Sequence, residues 1–201
     1  MKADLRLSVK DYPSNVHRMK LKLPLALVLA LCLVNAGLIA GRAAPATVQV
    51  FFSPKGGCTE AVIDALTKAR STVLVQAYSF TSAPIAKALV DAHRRGVKIQ
   101  VILDKSNATD KYSAATFTQN AGIPTFIDDR HAIAHNKIMV IDGQTVLTGS
   151  FNFTKAAEEN NAENLLVIDD AALAAKYAAN WKVHLAHSKP YYRKEPMGHR
   201  H

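Results

Sequence analysis

Residues 135–152 read HNKIMVIDGQTVLTGSFN. The apolar run of HNKIMVID meets Gly143, and QTVLTGS follows it. An Asp-Gly pair at 142–143 between two such runs predicts a β-hairpin. Everything upstream alternates instead between strand and helix signals, so the hairpin marks a change of topology. An early βαβα pattern with a late antiparallel pair predicts an α/β fold in which a mixed β-sheet is flanked by helices on both faces.

Working outward, residues 48–52 (VQVFF) read as a strand. PKGG then turns into a helix over residues 59–69, with Val62, Ile63 and Leu66 on one face. A second strand spans residues 72–80. A helix follows, with Ser82 as its cap, Pro84 in its first turn and Gly96 past its end. VKIQVILD, residues 97–104, is apolar enough for a central strand. A polar loop leads to a short helix at residues 114–120, and PTFID forms a weak fourth strand. Beyond the hairpin come a strand at residues 164–169 and an Ala-rich helix over residues 171–187. Trp181, at helical spacing from Tyr177 and Leu173, faces either the core or a dimer contact. The tail from Pro190 is expected to be mobile.

The net charge of +9 must be located before it is used. Residues 1–46 carry seven Lys/Arg against two Asp/Glu, whereas residues 47–181 carry 13 of each and are neutral; the remaining excess sits in the last 20 residues. A globally basic surface for nucleic acid is therefore excluded, and any anion site must be local or in the tail. Residues 23–41 are an uncharged apolar run preceded by Arg18, Lys20 and Lys22 and followed by Arg42 and AAPA, the layout of a signal peptide cleaved after Ala46. Export to the periplasm or the medium is expected. The alternative is an inner-membrane anchor through residues 23–41, whose length is near the ~20 residues that span a bilayer. Met19 opens a more ordinary signal start than Met1. The domain reading is thus 1–46 extension and signal peptide, 47–190 catalytic domain and 191–201 basic flexible tail. Cys58 is the lone cysteine after residue 46, so no intrachain disulfide is expected there, and at a helix start it reads as a small buried residue.

Chemistry concentrates around the hairpin. Side chains two apart on a strand share a face, so His135 and Lys137 are expected side by side, which calls for something negative between them. Gly149, Ser150 and Asn152 follow in GSFN, and Glu163 precedes a strand. This set suits a phosphodiester. Lys137 and Asn152 can hold nonbridging oxygens, and His135 can attack phosphorus. Glu163 can accept the other imidazole N–H and fix the tautomer. Ser150 is either a further contact or only a turn hydroxyl, and Asp142 serves the Asp-Gly turn and nearby backbone. The ammonium does the charge work, so neither a cofactor nor a metal is expected. His131 and His135 have the i, i+4 spacing of a helical zinc pair, but AIA between them offers no base and leads into a strand.

HNKIMVIDG, TGSFNFT and the glutamate of AENLLVI together resemble the phospholipase D superfamily, and residues 48–186 as a whole are similar to its small secreted single-motif bacterial endonucleases. The segments AYSFTSAPIAKAL and HRRGVKIQVILD carry the same resemblance. It implies an α/β sandwich, a covalent phosphohistidine on His135 and two H-x-K-x4-D motifs per active site. This chain has one, since HAIAH and HRRG do not match. The resemblance therefore implies a homodimer with the site at its two-fold interface, one His135 attacking and the other protonating the leaving oxygen.

The expected activity is a metal-independent phosphodiesterase cutting DNA, or RNA, without sequence preference. The alternative is a phospholipase D acting on membrane phospholipids. Tyr78, Ser79 and Phe80 are candidates to line the cleft, with ordinary strand-end packing as the competing role. Lys105, Lys111 and Arg130 either track a nucleic-acid backbone or are solvated loop charges.

Overall fold

The computed structural model describes residues 45–110 and 112–192. The expected leader, Lys111 and the end of the tail from Arg193 lie outside these residues. The elements run β1 (Thr47–Ser53), α1 (Cys58–Lys68), β2 (Thr72–Ala77), α2 (Ala83–Arg94), β3 (Lys98–Asp104), a 3-10 turn (Lys105–Ala108), α3 (Ala114–Asn120), β4 (Thr125–Asp128), β5 (Lys137–Ile141), β6 (Thr145–Gly149), α4 (Lys155–Glu159), β7 (Glu163–Asp169), α5 (Ala171–Leu185) and β8 (Lys189–Pro190).

The strands form one eight-stranded sheet in the order β1-β7-β6-β5-β2-β3-β4-β8. β2, β3 and β4 are parallel, as the alternating upstream pattern requires. Every other pairing is antiparallel, beginning with the β5–β6 hairpin. At the hairpin's turn Asp142 and Gly143 both have positive φ, 54° and 64°, and Gln144 N–H donates to the Ile141 carbonyl. Those dihedrals match the right-handed twist of the flanking strands.

Two apolar layers hold the sheet. Val62 and Leu66 of α1, Ile85 and Leu89 of α2 and Ala115 of α3 pack with Val73, Val75, Met139, Leu147 and Leu165 on one face. On the other, α5 lays Trp181 against Ile102 and Ile138, and Ala174 against Val140 and Val146. β5 is buried along its whole length because both layers cover it. Trp181 is a core residue, its indole N–H donating to the Val75 carbonyl at 2.9 Å, which settles the choice between core and dimer contact.

Three expectations change. The second strand stops at Ala77, and Phe80 turns fully inward against Phe153 at 5.7 Å between ring centroids, so it lines no cleft. A one-turn helix, α4, was not anticipated, since five residues are too few to show periodicity. The tail does not leave the body at residue 190: Pro190 belongs to β8, Tyr191 N–H donates to the Thr125 carbonyl, and its hydroxyl meets Thr116 at 2.9 Å. Among the described residues no helix is long and apolar enough to cross a membrane.

Candidate active site

The sequence-predicted residues gather at one end of the sheet because the register brings them there. Lys137, at the start of β5, pairs with Ala77 at the end of β2. Gly149, at the end of β6, pairs with Leu165, and Glu163, at the start of β7, pairs with Ser53. Alternation puts Lys137 on the face of Met139 and Ile141, and Glu163 on the face of Leu165 and Val167, so both rise from the same side.

β5 begins at Lys137, two residues later than an i, i+2 pairing with His135 requires. His135 instead lies in the extended segment before the strand, and Tyr78 joins the two. The Tyr78 ring stands 4.7 Å from the His135 ring and 5.1 Å from the Lys137 ammonium, and its N–H donates to the Asn136 carbonyl. The tyrosine carbonyl is held in turn by the Asn107 amide at 2.6 Å. His135 is exposed, while Lys137 is only 7% exposed. Burial pulls the lysine pKa down, and the nearby Glu163 charge pushes it back up. Among the described residues the ammonium makes one hydrogen bond, to the His135 carbonyl at 2.9 Å, which leaves donors for an incoming anion.

Gly149 has φ 149°, and a Cβ there would lie 2.3 Å from the Asn164 carbonyl oxygen, so only glycine lets β6 pass β7 this closely. Ser150 and Asn164 then bond reciprocally: Ser150 N–H donates to Asn164 Oδ1 at 2.9 Å, and Asn164 N–H donates to Ser150 Oγ at 3.0 Å. The serine hydroxyl thus serves the turn. Asn152 Oδ1 is enclosed with no partner among the described residues, an uncommon state for a buried amide. Glu163 Oε1 accepts from Asn161 Nδ2 at 3.1 Å; the expected bond from His135 is not formed within the chain.

Asp142 lies at the opposite end of β5, its carboxylate accepting from the N–H groups of Arg70, Ser71 and Thr72 and from the Ser71 hydroxyl. Lys105 donates to the His131 carbonyl at 3.1 Å rather than standing free, Arg130 is solvent-exposed, and Ser79 is half-buried beside Tyr78. Cys58 is fully buried, and burial, aided by Glu158, Glu60 and Glu163, pushes its thiol up to about 11, which makes it an inert packing group.

Two features were missed from sequence. Asp104 is buried at the end of β3, and its Oδ2 accepts the Ala134 N–H at 2.8 Å, so it pins the residue before His135. His131 turns away from His135 toward Asp128, where His184 and His187 join it. The spacings Asp128-x-x-His131 and His184-x-x-His187 were visible in the chain, but nothing local links segments more than 50 residues apart.

The family described as Cardiolipin synthase, PLD-like domain matches residues 62–184. A protein named Phospholipase D from Rickettsia bellii is 45% identical over 134 residues, 67% of this chain and 67% of its own length. Mitochondrial cardiolipin hydrolase from Xenopus laevis is 36% identical over 100 residues, covering 50% of this chain and 48% of that one. Among solved structures, a phospholipase D family member, Nuc from Salmonella typhimurium, superposes with a TM-score of 0.71 at 38% identity over 75% of this chain and 100% of its own. NucT from Helicobacter pylori does so at 0.69 and 26%, over 73% and 100%. The exposed imidazole, the buried ammonium behind it and these likenesses agree, and the chain belongs to the phospholipase D superfamily as a phosphodiester hydrolase.

Proposed function

We propose that the protein is an exported endonuclease that hydrolyses DNA, and RNA, without sequence preference, working as a homodimer through a phosphohistidine. The observation that carries the substrate class is the exposure of His135 on an open rim, with the Tyr78 ring against it and Lys137 beneath. A polymer backbone can lie across such a rim, and an aromatic face beside the phosphate contact suits a nucleotide. Phosphate contacts alone carry no sequence information.

In the first step a His135 ring nitrogen attacks phosphorus, forming a P–N bond as a P–O bond breaks. Lys137 and Asn152 hold the nonbridging oxygens. The partner copy's imidazole gives its proton to the departing alkoxide; it then takes a proton from the water that cleaves the P–N bond. Glu163 helps by keeping Lys137 protonated against its own burial.

Dimerisation is supported by the single motif and by an apolar stripe. Val48, Val50 and Phe52 alternate along the sheet edge at 60%, 50% and 63% exposure, beside Leu166 and Ile168 of β7. An uncovered apolar edge strand is a liability unless another surface covers it. By alternation the stripe and Glu163 point to opposite faces of the sheet, and they come together only at its edge, where the Phe52–Asn164 and Ser53–Glu163 pairs are adjacent.

A membrane phospholipid is the second reading. The Rickettsia relatives are named Phospholipase D, and Ile133, two residues before His135, is 56% exposed where it could touch an acyl surface. Plasmid DNA, single-stranded DNA, RNA and phosphatidylcholine vesicles offered in parallel without added divalent cation decide between them. Nucleic-acid cleavage that disappears with His135→Ala supports the proposal. Faster phosphatidic acid release from the vesicles reverses the order.

A further inference from the structure

Asp128, at the end of β4, is fully buried, and three histidines converge on it from two parts of the chain. His131 Nδ1 lies 3.1 and 3.0 Å from its two oxygens, His184 Nδ1 lies 2.8 Å from Oδ2, and His187 Nε2 lies 3.3 Å from the same oxygen. The rings pack in a triangle with centroids 4.9, 5.2 and 5.4 Å apart. One ligand atom from each of the four residues lies within 4.8 Å of the others.

The Asp128 carboxylate also accepts the Arg130 N–H at 3.1 Å, and three imidazoles this close repel one another if all are protonated. A cation that takes a lone pair from each ring removes that repulsion and uses the carboxylate as its fourth ligand. Three nitrogens and one oxygen are a zinc set, with metal–ligand distances of about 2.0–2.2 Å and tetrahedral edges of roughly 3.4 Å. The contacts to Asp128 are already near that edge, and side-chain rotation closes the wider gaps. We infer that Asp128, His131, His184 and His187 form a binding site for one divalent transition-metal ion, zinc by preference.

The effect of an ion here is mechanical. Asp128 belongs to β4, His131 to the segment that delivers His135 four residues later, and His184 and His187 to the last turn of α5 and the residues after it. A bound ion joins all three. The same segment is already held by Lys105 at the His131 carbonyl and by Asp104 at the Ala134 N–H.

The test uses untagged protein, stripped with chelator and dialysed, then titrated with zinc chloride against a chromophoric competitor. The expected result is about one zinc retained per chain, a melting temperature raised by about 5 °C or more, and slower amide exchange over residues 129–136. Cobalt chloride should give the visible absorption of a four-coordinate site. His184→Ala/His187→Ala should lower zinc affinity ~100-fold or more and abolish the thermal shift. His131→Gln, altering the most exposed ligand, tests the same point should the double variant fold poorly. Less than stoichiometric retention by wild type, or retention and thermal shift unchanged in a folded variant, overturns the inference.

Discussion

The two ends of β5 carry the two ends of one motif and are built on opposite principles. At the far end, Asp142 accepts hydrogen bonds from three backbone N–H groups and a hydroxyl, which pull its pKa down although burial pushes the other way. At the near end, Lys137 is as buried as a core residue yet makes one hydrogen bond among the described residues, and Asn152 Oδ1 makes none. The satisfied end stabilises the fold. The unsatisfied end leaves Lys137 ammonium donors open at a cost in stability, the trade expected if, as proposed, they meet a phosphate.

The sharpest break of that comparison is His135→Ala, which should lower kcat about 10⁴-fold or more with no loss in melting temperature, and should leave no phosphorus on the ring in acid-quenched reactions. Lys137→Met comes next. Removing an electrostatic clamp should cost about 3 kcal/mol in kcat/KM, whereas thermal unfolding should show equal or greater stability because a desolvated charge is gone. Asp142→Ala should do the reverse: a loss of about 2 kcal/mol in stability by urea titration, with near-normal specific activity in the fraction that folds. The wild-type contribution of Asp142 has a definite sign with pH. Its folded pKa is lowered, so the stabilisation is complete above the ordinary carboxylate range and fades as pH falls below about 4.

Glu163→Gln tests how the unsatisfied end stays charged. Without the Glu163 charge, burial alone acts on Lys137, its pKa falls further, and the alkaline limb of the kcat/KM profile should move to lower pH with about a tenfold loss or less near neutrality. An unshifted limb would return Glu163 to orienting an imidazole. The smallest effect belongs to Gln76, buried under α5 with neither amide atom paired among the described residues: Gln76→Leu should raise stability by about 1 kcal/mol in a urea melt. Charged substitutions at Val50 and Phe52 should yield a monomer by sedimentation, and a monomer that still cleaves would contradict the shared site.

Much of this was legible in the chain because the signals are local. The Asp142-Gly143 turn, the apolar face of α1, the Ser82 and Gly96 bounds of α2, the short helix at residues 114–120 and the continuous apolar β3 each follow from backbone preferences and side-chain alternation within a dozen residues. His135, Lys137, Asn152 and Glu163 could be proposed because their residue types suit phosphorus chemistry and the strands near them were readable. Phe80 was misplaced because a strand-end aromatic looks the same whether it faces a cleft or the core. The docking of Tyr191 was missed because a two-residue strand has no pattern at all.

By itself, the amino-acid sequence determined the order of the longer strands and helices and the hairpin, and it named the reactive groups proposed here, since each depends on near neighbours in the chain. Tertiary structure alone decided that Tyr78 would stand between His135 and Lys137, that Glu163 would turn to Asn161 and act on Lys137 through space, and that Asp128 would gather His131 with His184 and His187. Those arrangements join segments separated by up to about 60 residues: sheet register brings Tyr78 and Glu163 to Lys137, and the packing of α5 across the sheet brings His184 and His187 to Asp128. No local periodicity encodes a contact of that kind.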